Sequence, residues 1–70
     1  MIRQPVTSRN LRSVGYDQAS RTLEIEFNSG AIYQYDGVPD AVHGGLMRAS
    51  SHGSYFHQNI KDRYPYRRSG

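Results

Sequence analysis

The most informative stretch of this 70-residue sequence is TLEIEFNSGAIYQY, residues 22–35. In its first half, apolar residues alternate with Glu24 and Glu26, which is the period-two pattern of a strand with one buried face. Its second half, AIYQY, is rich in the β-branched and aromatic residues that favour strands. The intervening triplet NSG ends at Gly30, and a three-residue loop ending in glycine is typical of a type I turn followed by a left-handed residue. The stretch therefore predicts a β-hairpin.

The register of this hairpin decides where Tyr33 and Tyr35 point. With a three-residue loop, Ile25 faces Tyr33 and Leu23 faces Tyr35, so both tyrosines lie on the apolar face beneath the helices. A two-residue loop would place them on the opposite face with the glutamates, because a one-residue slip inverts a strand. The position of Gly30 favours the longer loop. We therefore interpret both tyrosines mainly as core residues with hydroxyls at the rim; the alternative is that their rings face a ligand.

The residues before the hairpin predict one further strand. Residues 1–9 show little periodicity and are interpreted as a leading segment. A strand is expected from Leu11 to Tyr16, with Gly15 as a bulge or a position of close approach. The turn that follows begins at Asp17, whose side chain can bond the local backbone.

Beyond the hairpin the period changes from two to about four. A helix is expected to open at Val38-Pro39, with proline in its first position, and Gly44-Gly45 inside it suggests either close packing against the sheet or a local weakness. A second helix is expected to be capped by Ser54, after a left-handed Gly53. We expect residues 67–70 to form a loose tail.

Runs of strands followed by runs of helices indicate the α+β class. The expected fold is a three-stranded antiparallel β-meander followed by two short helices packed on one face, β-β-β-α-α. The chain is expected to form a single domain over residues 1–70, with a folded part of about 6–66.

The sequence resembles the KTSC domain family over roughly residues 6–66. The resemblance is carried by short motifs in the same order and spacing, of which the central one is the Tyr-x-Tyr motif at Tyr33 and Tyr35. The others are Gly15-Tyr16-Asp17, residues 23–27, Ser29-Gly30, Val38-Pro39, Ala49-Ser50, Gly53, Tyr55-Phe56 and residues 60–64. The family occurs as small bacterial proteins and at the C-terminus of some lysyl-tRNA synthetases. The resemblance implies no catalytic residues and suggests RNA as a partner, through the synthetase context.

The charge of the chain is unevenly distributed. The net formal charge is +3, and it divides into −1 over residues 1–42 and +4 over residues 43–70. Bases interleaved with aromatic residues suit a nucleic-acid surface, because cations bind phosphates and rings stack on bases. The alternative is a solvated helix end with tyrosines that close the core. The residues of the RNA-binding hypothesis are Lys61, Arg63, Tyr64, Tyr66, Arg67 and Arg68, together with Tyr33 and Tyr35.

Catalysis is not expected. His52, His57 and Lys61 could form an acid–base set for cleaving RNA if the fold gathered them, but nothing in their spacing indicates that it does. No cysteine is present, and the histidines lack the spacing of metal ligands. We therefore expect a binding module with no enzymatic activity, metal site or cofactor.

Partners other than RNA stay open. If the tyrosines point inward, Ile32 and Gln34 point outward on a strand near a sheet edge, where a protein partner or a second copy of the chain could add a strand. No apolar run is long enough to cross a membrane, and no signal peptide is recognisable. With the lack of cysteine, this leads us to expect a cytoplasmic location and no membrane partner.

Overall fold

Five strands lie side by side in chain order in the computed structural model, which describes all 70 residues. Every neighbouring pair is antiparallel, and two helices follow the fourth strand. The elements are β1 (Arg3–Pro5), β2 (Leu11–Asp17), β3 (Thr22–Phe27), β4 (Ile32–Tyr35), α1 (Asp40–Arg48), α2 (His52–Asn59) and β5 (Tyr66–Arg68). The expected α+β class is confirmed, but the expected number of three strands is wrong. Neither helix has the length and apolar character that crossing a bilayer requires.

The β3–β4 hairpin has the predicted register. Leu23 pairs with Tyr35 and Ile25 pairs with Tyr33, and the amide of Phe27 donates to the carbonyl of Ala31 over 2.9 Å. Gly30 has a φ of +96°, a conformation that glycine adopts without steric cost. The predicted three-residue loop is confirmed.

The first of the two extra strands, β1, depends on Gly15. A Cβ atom at this position would lie 3.0 Å from the carbonyl oxygen of Ile2 and 3.0 Å from Cγ of Arg3. Glycine therefore lets the first residues of the chain approach β2 and pair with it, with Arg3 opposite Gly15. The close approach suggested for Gly15 is present, whereas the shift in register of β2 lies between Leu11 and Ser13. The prediction that residues 1–9 form only a leading segment is therefore wrong, since Arg3–Pro5 is a strand of the sheet.

The second extra strand, β5, replaces the expected loose tail. The amide of Asp36 donates to the carbonyl of Pro65, and the amides of Ser69 and Gly70 donate to the carbonyl of Ile32. These bonds satisfy backbone groups on the outer side of β4 that would otherwise have no partner in the sheet. The gain outweighs the modest strand propensity of the arginines. The ordered part of the chain therefore extends beyond 6–66 at both ends.

The helices begin close to the predicted places. Pro39 occupies the N-cap of α1, one residue before the position expected for it. The cap of α2 is Ser51 rather than Ser54, because the Ser51 hydroxyl accepts a hydrogen bond from the Ser54 amide over 3.2 Å. Gly53 is accordingly a buried residue of the first helical turn and not a left-handed one.

The core lies between the helices and one face of the sheet. Gly45 of α1 packs directly against the Tyr55 hydroxyl of α2, so the close approach that it allows is between the helices and not to the sheet. Across the sheet, the Tyr16 hydroxyl donates to the carbonyl of Val38 over 2.6 Å, and its ring stacks on His43 at 4.5 Å. The buried apolar cluster is Leu11, Val14, Leu23, Ile25, Tyr35, Val38, Leu46, Phe56 and Ile60.

Candidate nucleic-acid interface

The end of the helix-covered sheet face carries a set of touching aromatic rings. Tyr35 is 5% exposed, and its ring centroid lies 5.5 Å from that of Phe56 in α2. Tyr66 of β5 pairs with Tyr35, and its ring centroid lies 5.7 Å from those of both Tyr33 and Tyr35. Phe27 makes edge contacts with Tyr33 and Phe56. These five residues form a continuous aromatic surface on which Tyr66, 58% exposed, is the most accessible ring.

This surface forms the floor of a cleft of about 510 Å³, which we call the aromatic cleft. Its polar walls come from three parts of the chain: the loop before β2, the β3–β4 turn and the end of α2. The polar residues that line it are Arg9, Asn10, Asn28, Ser29, His57, Lys61 and Asp62. The cleft thus combines a ring floor with two permanent cations, one carboxylate and several neutral hydrogen-bonding groups.

Burial strengthens the preference of the Tyr35 phenol for its protonated form. Desolvation, followed by the nearby Tyr33 and Tyr66, raises the pKa of Tyr35 to about 12. A phenol with the ordinary pKa of about 10 is already protonated at physiological pH, and the raised value adds to this margin. A neutral ring floor avoids repulsion of an anionic ligand.

The two cations of the aromatic cleft have no partner within the chain. The side chains of Arg9 and Lys61 make neither a hydrogen bond nor an ion pair, although Asp62 lines the same cleft. By contrast, Arg3 pairs with Glu24 at 2.9 Å and Arg67 with Asp36 at 2.6 Å. Arg21 and Arg48 also lack an ion pair, but they do not line this cleft. The lining of the aromatic cleft therefore carries a net positive charge, from two unpaired cations and the one carboxylate of Asp62.

Asn28 fixes the loop that carries Arg9. Its side-chain Nδ2 donates to the carbonyls of Ser8, at 3.1 Å, and Arg9, at 2.7 Å. Its backbone amide donates to the carbonyl of Asn10 at 2.8 Å. Three bonds from one residue hold the backbone of residues 8–10 against the hairpin turn, and so hold Arg9 at the cleft.

The structure gathers only part of the predicted RNA-binding set. Tyr33, Tyr35, Tyr66 and Lys61 all line the aromatic cleft. Arg68 pairs with Tyr33 across β4 and β5, so it lies on the same sheet face, with Nε donating to the carbonyl of Gly70 at 2.8 Å.

The other three members of that set lie elsewhere. Arg67 points to the opposite sheet face, where it pairs with Asp36. Arg63 is turned back onto the end of α2, and its Nε donates to the carbonyl of Gln58 at 2.9 Å. Tyr64 packs against the core, as the alternative interpretation of that residue proposed.

Several residues of the aromatic cleft were missed in the sequence. Arg9 and Asn10 precede the first predicted strand in a segment without periodicity, and Phe27 and Phe56 look like ordinary core residues. Asn28 was interpreted only as a turn residue. No local signal connects these positions, because the contacts that join them span 18 or more residues of chain.

The histidines do not form one cluster with Lys61. His57 and Lys61 line the aromatic cleft, whereas His52 and His57 line a neighbouring polar cleft. Nδ1 of His52 lies 2.8 Å from the carbonyl oxygen of Leu46, so this nitrogen carries a proton and joins α2 to α1. No group of three or more potential metal-ligating side chains occurs in the chain.

The outward face of β4 also differs from the expectation. Ile32 and Gln34 do point away from the helices, opposite Glu26 and Glu24. However, β4 is not an edge strand, since β5 occupies its outer side. The Gln34 amide is engaged, donating to Glu24 over 2.8 Å. The edge of β4, on which strand addition was expected, is therefore already occupied by β5.

The sequence and the fold of this chain are both similar to those of known proteins. The model of the KTSC domain family matches residues 7–64. A crystal structure of a KTSC domain protein from Yersinia pestis superimposes with a TM-score of 0.96 at 43% identity, covering 99% of this chain and 97% of that one. An uncharacterized protein from Stutzerimonas stutzeri is 44% identical over 64 residues, which is 91% of this chain and 90% of that protein.

Longer relatives contain a similar segment. A lysine–tRNA ligase from a Nostoc species is 41% identical over 56 residues, and one from Trichormus variabilis is 39% identical over 56 residues. The matched region covers 80% of this chain but 10% of either ligase. With the family model, the fold and these relatives in agreement, the chain belongs to the KTSC domain family.

Proposed function

We propose that this domain binds single-stranded RNA in the aromatic cleft, without catalysing a reaction. The observation that carries the proposal is an open ring floor bordered by two cations, Arg9 and Lys61, neither of which forms an ion pair, against the single carboxylate of Asp62. Stacking on exposed aromatic side chains and phosphate contacts from basic ones are the two interactions that single-strand binders combine. The aromatic cleft offers both within one site.

Stacking is assigned chiefly to Tyr66. Its ring is 58% exposed, while Tyr33 and Tyr35 support it from below at centroid distances of 5.7 Å. A ring held by its neighbours loses little conformational freedom when a base stacks on it. The cleft volume, about 510 Å³, falls within the range of roughly 300–1,000 Å³ that small-molecule sites occupy.

Phosphate binding is assigned to Arg9 and Lys61, which both line the aromatic cleft. Both are exposed and free of intramolecular partners, so binding a phosphate breaks no existing ion pair. Lys61 also belongs to residues 43–70, which carry a net charge of +4. The electrostatic field of this positive charge attracts a polyanion before any specific contact forms.

The nature of the relatives supports RNA over other polyanions. The lysine–tRNA ligases that contain a similar segment are named for a reaction on an RNA. A small module attached to such an enzyme is suited to holding part of the substrate. Single-stranded rather than duplex RNA is favoured because only unpaired bases can stack on Tyr66.

The test is fluorescence anisotropy of a short labelled single-stranded RNA, titrated with the domain at several salt concentrations. The logarithm of the affinity should fall by about 0.7 per tenfold increase in salt for each phosphate bound. Tyr66→Ala should cost about 1–3 kcal/mol of binding free energy through lost stacking. Tyr66→Phe keeps the ring and serves as the matched control, with affinity close to that of the wild type.

Three controls complete the experiment. Absence of binding at low salt would reject the proposal. Electrophoresis of the RNA after incubation tests whether it is cleaved, and cleavage that persists in the His52→Ala, His57→Ala double variant would not arise from these histidines. Light scattering of the free domain measures self-association, the alternative hypothesis for this chain.

A further inference from the structure

A second cleft adjoins the aromatic one. It has a volume of about 600 Å³ and lies between residues 7–10 and the start of α2. Arg9, Asn10 and His57 line both clefts. The two spaces are therefore neighbouring compartments along the same surface, and we call the second one the polar cleft.

The residues that line the polar cleft are all polar or glycine, and none of them is acidic. The cleft is lined by Arg9 and by Thr7, Ser50 and Ser54, whose hydroxyls have no hydrogen-bond partner within the chain. A metal cation would find no carboxylate here, whereas an anion would find hydrogen-bond donors and a positive charge.

We infer that the two clefts form one nucleotide-binding groove, in which a base lies in the aromatic cleft and the adjoining phosphate of the same strand lies in the polar cleft. This inference rests on the proposed function and specifies where the strand runs. Arg9 borders both compartments, so it binds the phosphate that links them. Asn28 makes this possible by holding the backbone of residues 8–10.

The inference has a direct electrostatic test at Ser54. This residue is exposed and lies three positions after the N-cap Ser51, where a Glu or Gln completes a capping box and favours the helix. Ser54→Glu therefore adds a negative charge to the polar cleft without disturbing the fold. Ser54→Gln adds a side chain of the same size and capping ability without the charge, and is the reference.

RNA affinity should be at least about fivefold lower for Ser54→Glu than for Ser54→Gln at low salt, because a carboxylate repels the phosphate at short range. The difference should shrink as salt is added, since screening weakens the repulsion. Gln18→Glu adds the same charge in the β2–β3 turn, outside both clefts, and measures the long-range effect of net charge alone. Thermal unfolding verifies that the Ser54 variants remain folded.

The outcomes separate the inference from the proposed function. If Ser54→Glu weakens binding more than Gln18→Glu does, the phosphate path through the polar cleft is supported. If the two glutamate variants weaken binding equally while Tyr66→Ala still abolishes stacking, the domain binds RNA by another path and the inference is wrong. If the wild type does not bind RNA at low salt, the proposed function fails first.

Discussion

The two faces of the sheet differ in whether their basic side chains form ion pairs. On the outer face, arginines are matched with acids: Arg3 contacts Glu24 and lies 4.0 Å from Glu26, and Arg67 contacts Asp36. On the helix-covered side, Arg9 and Lys61 border the aromatic cleft without an ion pair. The paired arginines of the outer face therefore stabilise the fold, whereas Arg9 and Lys61 at the aromatic cleft remain available for a ligand. This difference is more informative than the net charge of the chain, which is the sum of both.

The largest expected effect is a loss of stability on substituting Glu24, a residue of the outer face that we expect to matter for folding and not for RNA binding. Its carboxylate, with 11% of the side chain exposed, accepts hydrogen bonds from Arg3 and Gln34. Glu24→Ala should lower the free energy of unfolding by about 1–3 kcal/mol, because it leaves two partly buried donors unpaired. Chemical denaturation measures the loss. Glu24→Gln makes the same change in charge but keeps an acceptor, so it should be less destabilised.

Glu24 also tests whether the outer face takes part in binding. Both variants raise the net charge equally, so their RNA affinities should match each other once both are folded. A loss of RNA affinity in Glu24→Ala that Glu24→Gln does not share would place part of the binding site on the outer face, against the comparison drawn above.

An intermediate effect is expected from a matched pair of arginines. The slope of the logarithm of RNA affinity against the logarithm of salt concentration measures how many phosphates are bound. Arg9→Ala should reduce the magnitude of this slope by about 0.7, the contribution of one phosphate contact. Arg67→Ala removes the same charge from the outer face and should leave the slope unchanged. Anisotropy titrations over a range of salt give both slopes. Equal reductions in the two variants would show that overall charge, and not the cleft, drives binding.

The smallest expected effect concerns His43, which stacks on Tyr16 away from both clefts. Desolvation lowers the pKa of His43, and Asp40 partly opposes this. A lowered folded-state pKa means that the unfolded chain binds the proton more tightly, so stability is complete above the ordinary histidine pKa of about 6.5 and declines as the pH falls through it towards the lower folded value. His43→Gln should show a shallower decline in that range. Unfolding curves of both proteins against pH provide the measurement, and parallel declines would exclude His43 as the cause.

The sequence predicted the hairpin and its register because both depend on neighbouring residues. Alternation along β3 defines its apolar face, and Gly30 favours the loop length that turns Tyr33 and Tyr35 towards that face. The cap of α2 was misplaced by three residues because Ser51 and Ser54 are both good caps, and only the fold determined which hydroxyl was used. The loose tail was wrong for a different reason, since β5 exists only because β4 offers it unpaired backbone groups.

The candidate site likewise combines features that depend on neighbouring residues with features that depend on contacts between distant ones. The sequence pattern identified the tyrosines, the basic C-terminal part and the family, because each of these can be recognised from short stretches of neighbouring residues. It did not place Arg9 beside Lys61, or Tyr66 over the tyrosine pair, because these neighbours are separated by 31 or more residues. Side-chain chemistry and short-range backbone preference are properties of the sequence; which charges find a partner, and which remain free at a cleft, is settled when distant segments pack together.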